Sequence, residues 1–151
     1  MALTPEDRAL IGDLVVAYAY AIDERNWQAF EALFTPDARI DYESAGGIAG
    51  SPAQVAAWMP QALSLFTWTL HSAFTHRLQP TGPDTVNGAI HMLARHGVVF
   101  DGTSEVMDVS GVYYDEYVRT QAGWRFASRR EHTLSITGGR FAEMVAARAR
   151  K

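Results

Sequence analysis

The sequence predicts one α+β domain in which a curved, mostly antiparallel sheet wraps into a cone-shaped barrel against three N-terminal helices. Two observations carry this. Helical periodicity is confined to about the first 65 residues, and from about residue 67 long strand-like runs alternate with turn signals. At 151 residues and 48% hydrophobic content the chain has material for one ordinary core. Thr4 is placed to cap a first helix, with Pro5 at its first position, and Ile11, Leu14, Val15, Tyr18 and Ile22 recur at helical spacing. The pattern breaks at Asp23 to Asn26, and Trp27, Phe30, Leu33 and Phe34 predict a short second helix that stops before Pro36. Ala38, Ile40 and Tyr42 then alternate as a short strand running into a hairpin-type turn at Ala45-Gly46-Gly47. Ser51 and Pro52 open a third helix through Val55, Trp58, Met59, Ala62 and Leu65. Strands are expected at about 67–79, 85–99, 105–119 and 123–136, separated by Pro80 to Pro83, Asp101 to Thr103 and Gln121 to Gly123. The domain is drawn at 4–137, followed by a C-terminal extension, 138–151, whose Phe141, Met144 and Val145 can form a helix that caps the cone or packs on another subunit.

Composition narrows the function classes. With no cysteine, disulfides, thiolate metal ligands and a thiol nucleophile are excluded. A net charge of −4 argues against a phosphate-binding face, so no nucleic-acid partner is expected. Only the tail Arg148, Arg150, Lys151, read as a solvated end, and the pair Arg129-Arg130 are locally basic. No apolar run reaches the roughly 18–20 residues that span a bilayer, and MALTPEDRA lacks the features of a signal peptide, so the expectation is a cytoplasmic protein without a membrane partner. There is no Gly-rich phosphate loop and no GxSxG elbow.

Five histidines, at 71, 76, 91, 96 and 132, are the chemically interesting residues. His71 and His76 are five apart, as are His91 and His96, and in a regular strand an odd separation puts each pair on opposite faces, so no metal ligand set is expected. A general base near neutral pH is most often a histidine oriented by a carboxylate, and Asp23 with His71 could form such a pair if the fold joins them. The other readings stay open: Asp23 also suits the N-cap of the second helix. The apolar parity Trp68, Leu70, Phe74 would leave His71 on the opposite side with Thr67 and Thr69. Tyr18, Tyr42, Tyr113, His96 and Arg129 are further polar candidates, each also suited to a core or strand position. Asp115 and Arg119 suit an ion pair, and Phe34, Trp58, Trp68 and Phe74 are candidate pocket walls.

The run Ala21-Ile22-Asp23, Trp27, Leu33-Phe34, Pro36, Ala38, Ile40-Asp41-Tyr42, then Thr69-Leu70-His71, resembles the SnoaL-like family of the nuclear transport factor 2 superfamily. So do Gly111 to Tyr117 and Gly123-Trp124-Arg125-Phe126, and the likeness spans about residues 5 to 132. Within the group the chain resembles the scytalone dehydratase and hexachlorocyclohexane dehydrochlorinase branches. That resemblance implies elimination without a metal or organic cofactor, with an Asp at the end of the first helix, matched by Asp23, supporting a sheet histidine, matched by His71. It further implies substrate-facing roles for residues at Tyr18, Tyr42 and His96. It departs at Ile22, Gly111 and Tyr113, where a scytalone-type site carries other polar groups, and at Ser128, where the dehydrochlorinase arginine would fall, Arg129 being one residue off.

The expectation is therefore a cofactor-independent lyase or isomerase acting on a small apolar or aromatic substrate, assembled as a homodimer or homotrimer. Its rivals are a non-catalytic ligand-binding or subunit-assembly module of the same fold, and a polyketide cyclase or epoxide hydrolase relative.

Overall fold

A computed structural model describes residues 3–149. The elements are α1 (Pro5–Asp23), α2 (Trp27–Ala32), β1 (Phe34–Asp41), a 3₁₀ turn (Glu43–Ala45), β2 (Ala49–Gly50), α3 (Pro52–Ala62), β3 (Phe66–Pro80), β4 (Thr85–Phe100), β5 (Thr103–Thr120), β6 (Gly123–Gly138) and α4 (Arg140–Ala149). The strands form one sheet in the order β2-β1-β6-β5-β4-β3, antiparallel throughout except for the parallel β1–β6 pair. The α+β class and the curved sheet are as the sequence predicts. No helix among the described residues is long and apolar enough to cross a membrane.

The helix starts follow from their caps. Thr4 accepts from the Asp7 N–H, and Ser51 and Gln54 form a reciprocal capping box at α3. Two ends differ from expectation. The second helix stops at Ala32 and Phe34 already belongs to β1, because the Phe126 N–H bonds the Leu33 carbonyl and draws that backbone into the sheet. Asp23 is not the cap of α2; Asn26 is, its side chain accepting from the Ala29 N–H. α3 closes at Ala62 rather than Leu65, and the C-terminal extension forms α4. Arg150 and Lys151 of the expected tail lie outside the described residues, and Arg148 is exposed.

The core fills the concave face beneath α1 and α2. Ile11, Ile22, Phe30, Ile40, Val55 and Phe126 are sealed there, each contributing about 1.5–3 kcal/mol of burial. The sheet curves through bulges, which also switch which alternate residues face inward. In β3 the register shifts between Phe66 and Trp68 and again between Phe74 and His76, where Thr75 takes a positive φ of 54°. In β6 the pairing jumps from Ser128 to Phe126, skipping Ala127. Trp124 and Phe126 thus face inward on even numbers, and Arg129 and Glu131 on odd ones.

These shifts overturn the parity expected for β3. Trp68, Leu70 and Phe74 lie on the outer face, 44, 53 and 49% exposed, while His71 faces inward beside Thr69. His71 and His76 share the inner side because the bulge at Thr75 adds one residue between them.

Candidate active site

At the end of α1 the chain turns sharply. Arg25 adopts a left-handed conformation (φ 58°), and its guanidinium donates to the Ile22 carbonyl at 2.8 Å and to Thr69 Oγ1 at 2.7 Å. This docks the last residue of α1, Asp23, against β3. Because β3 is an edge strand, inward-tilted backbone donors on its free side have no strand partner. The His71 N–H uses Asp23 Oδ2 instead, at 2.9 Å, while Thr69 Oγ1 donates to Oδ1 at 2.9 Å and His71 Nδ1 lies 2.7 Å from the same oxygen. Burial pushes the Asp23 carboxyl up, but the ring and backbone bonds from His71 outweigh it, and its pKa is lowered overall. An ionised Asp23 accepts from Nδ1–H, which leaves Nε2 as the free ring nitrogen.

His71 forms part of the wall of a cavity of about 480 Å³ between the concave sheet face, α3 and α4. Tyr18, Tyr42 and Tyr113 line one part of it. The hydroxyls of Tyr18 and Tyr42 are 2.5 Å apart, and burial raises the pKa of all three, so each stays a protonated donor. His96 stands across from His71 with ring centroids 5.7 Å apart. Burial, then the nearby His71, lowers its pKa to about 4, so it is a neutral imidazole at neutral pH, and its Nδ1 has no partner among the described residues. Trp58 and Met59 of α3, and Phe141, Met144 and Val145 of α4, close the apolar side. Gly46, at φ 83°, turns the chain into the cavity rim, where a side chain on Gly47 would strike Tyr42 and Trp58.

Asp23, His71, Tyr18, Tyr42, His96, Tyr113 and Trp58 are thus gathered at one place. The other candidates are not. Phe34 is core, stacked on Phe126 at 5.0 Å and edge-on to Tyr18, because it begins β1 beneath α1. Trp68 and Phe74 face outward, as the register of β3 requires. Arg129 is 1% exposed behind the tyrosines, its guanidinium 4.0 and 4.1 Å from the Tyr18 and Tyr113 ring centroids. It gives Nε and Nη2 to Asp115 at 2.8 and 2.7 Å. The expected Asp115–Arg119 pair is not formed; Arg119 binds Asp7 and Asp84. Sequence reasoning missed Glu131, a buried carboxylate on the cavity wall whose Oε1 accepts from Thr133 Oγ1 at 3.0 Å. Beside two arginines it reads as part of a solvated charge run, and only the β6 bulge reveals its inward face.

Comparison with known proteins sets this geometry in a family. The model of the SnoaL-like domain matches residues 4–130. An uncharacterised protein of Mycobacterium tuberculosis, Rv2910c, is 35% identical over 126 residues, 83% of this chain and 84% of its own. The gamma-hexachlorocyclohexane dehydrochlorinase of Sphingobium indicum is 26% identical over 130 residues, 86% of this chain and 82% of its own. The crystal structure of a type 2 hexachlorocyclohexane dehydrochlorinase superposes with a TM-score of 0.79 at 24% identity, covering 89% of each chain. The chain belongs to the SnoaL-like domain family.

Proposed function

We propose that the cavity is the active site of a cofactor-independent lyase or isomerase, of dehydratase or dehydrohalogenase type, in which His71 is the general base and Asp23 orients it. The observation that carries this reading is the Asp23–His71 pair, bonded through Nδ1 at 2.7 Å, on the wall of a largely apolar cavity. With Nδ1–H held by the carboxylate, Nε2 accepts a proton from carbon next to a carbonyl or another electron-withdrawing group. The negative charge that develops needs a donor. Tyr42 and Tyr18, kept protonated by burial, and neutral His96 supply hydrogen bonds without adding a charge of their own. Proton abstraction of this kind contributes about 10²- to 10⁴-fold.

The test is an NMR screen in deuterated water that offers β-hydroxy ketones, cyclic enones and polyhalogenated rings to the wild-type protein and to His71→Gln. The expected result is exchange or elimination that requires His71. Compounds that bind yet neither exchange nor eliminate would overturn the reading in favour of a binding module.

A cytoplasmic homo-oligomer is the second part of the proposal. A chain without cysteine needs no oxidising compartment, and the exposed Trp68, Leu70 and Phe74 on the outer sheet face form an apolar surface that a second copy would cover. Sedimentation equilibrium should find a dimer or trimer; a monomer at micromolar concentration refutes the assembly.

A further inference from the structure

We propose that Glu131 is a second proton-handling group of this cavity, an acid that protonates a departing hydroxyl, so that the substrates are β-hydroxy carbonyl compounds and the reaction is a dehydration. This rests on the reading of His71 as the base and extends it to the leaving group.

The argument starts from what Glu131 lacks. Its side chain is on the cavity wall and the residue is 8% exposed, yet among the described residues it forms no salt bridge. The nearest candidate on its own strand, Arg129, has given Nε and Nη2 to Asp115. Thr133 Oγ1 donates to Oε1, and Oε2 accepts no protein hydrogen bond among the described residues. Burial without a directly paired cation favours the neutral form of a carboxyl, the form that carries a proton to donate. Burial raises its pKa, and the Thr133 bond, the Arg129 charge and, when its ring is protonated, His71 offset this only in part. The oxygen that Thr133 holds is fixed in turn: Ser44 Oγ donates to the Glu131 carbonyl at 2.8 Å and receives the Thr133 N–H at 3.0 Å, tying the 3₁₀ turn to β6 beside the acid.

The titratable and charged groups sharing the cavity wall are His71 of β3, His96 of β4, Tyr113 of β5, Tyr18 of α1, Tyr42 after β1, and Arg148 of α4 at the mouth. Of these, His71 is the one whose charge changes during turnover. When Nε2 takes the proton from carbon, the imidazolium lowers the pKa of Glu131 and favours release of its proton at the moment the carbon–oxygen bond breaks. The electron pair of the C–H bond becomes the new carbon–carbon π bond, and the pair of the C–O bond leaves with oxygen. That oxygen takes the Glu131 proton and departs as water. Imidazolium and carboxylate remain, and transfer of one proton between them, through water, restores the starting state. Chloride leaves as a stable anion and needs no such acid, whereas hydroxide is a poor leaving group that does.

The experiment compares dehydration of a β-hydroxy ketone with loss of hydrogen chloride from the β-chloro analogue, in the wild-type protein, Glu131→Gln and His71→Gln. In Glu131→Gln the ratio of dehydration to dehydrochlorination should fall by about 10²-fold, the lower bound for a lost acid. An unchanged ratio overturns the proposal. His71→Gln should lose both reactions together; if it loses neither, the base assignment fails while the role of Glu131 is judged on its own ratio. A second readout needs no turnover. In protein carrying ¹³C-labelled glutamate carboxyls, the resonance absent from folded Glu131→Gln should sit at the protonated position at neutral pH, and an ionised position there overturns the proposal.

Discussion

Beneath α1, Arg129 gives Nε and Nη2 to Asp115, Asp115 also accepts from Tyr117 at 2.6 Å, and the Tyr117 hydroxyl lies 3.2 Å from His76. Toward α4, on the same concave face, His96 Nδ1 and Glu131 Oε2 have no hydrogen-bond partner among the described residues. The first cluster is packed shut. Three aromatic rings surround the guanidinium, and Gly88 lies so close that a methyl there would meet the Tyr117 ring. The second borders open space. Arg129 Nη1, the exception in the closed cluster, has no hydrogen-bond acceptor among the described residues, but the guanidinium sits over the faces of Tyr18, Tyr113 and Phe126. Groups of similar chemistry therefore hold the molecule together in one place and keep bonding capacity for a ligand in the other.

The contrast breaks most readily at Arg129. Replacing it with alanine leaves Asp115 buried without its cation and should cost about 3–5 kcal/mol in urea denaturation, as for other buried pairs. His71→Gln, at the open end, should cost about 1 kcal/mol, the value of one hydrogen bond. Equal losses would erase the distinction.

A smaller effect is expected from acid. The folded-state pKa of His96, about 4, lies below its ordinary 6.5, so the unfolded chain binds this proton more readily. Stability attributable to His96 is complete above the unfolded value and is lost as pH falls from about 6.5 to about 4, amounting to on the order of 3 kcal/mol. Asp23, whose pKa is also depressed, acts below the ordinary carboxylate value of about 3.9, a separate window. Tm measured against pH should flatten in this range for His96→Leu; an unchanged slope would assign the acid sensitivity elsewhere.

The smallest effect sharpens the picture of the open end. Ser44→Ala removes the bonds to the Glu131 carbonyl and the Thr133 N–H at a partly exposed site, and should lower stability by about 1 kcal/mol. No change by chemical denaturation would mean that water replaces the hydroxyl without loss.

What could be read from the residues follows from where local chemistry decides. Thr4-Pro5 and Ser51-Pro52 mark helix starts because capping is a property of a few adjacent groups, and the strand limits follow turn residues for the same reason. Phe34 leaves the helix that its spacing from Phe30 predicts because sheet pairing with Phe126, 92 residues away in sequence, wins. The site was half legible. Asp23 and His71 stand out through the family resemblance, but strand alternation points the wrong way at Trp68, Leu70 and Phe74, since bulges reset the parity of β3 twice. Glu131 is hidden by the same device in β6. A bulge leaves no strong mark in composition, and each one exchanges the inner and outer sets of every residue that follows.

The seating of α4 bears on how the protein is handled. Arg148 and Ala149 border the cavity, so a purification handle joined to the end of α4 starts at the entrance. A flexible handle of a dozen residues has an average reach of about 20 Å, enough to lie across the opening and compete with a ligand. A handle placed ahead of Thr4 instead continues from the start of α1, whose first turn packs by Asp7 against Trp124 and Arg119 outside the cavity lining.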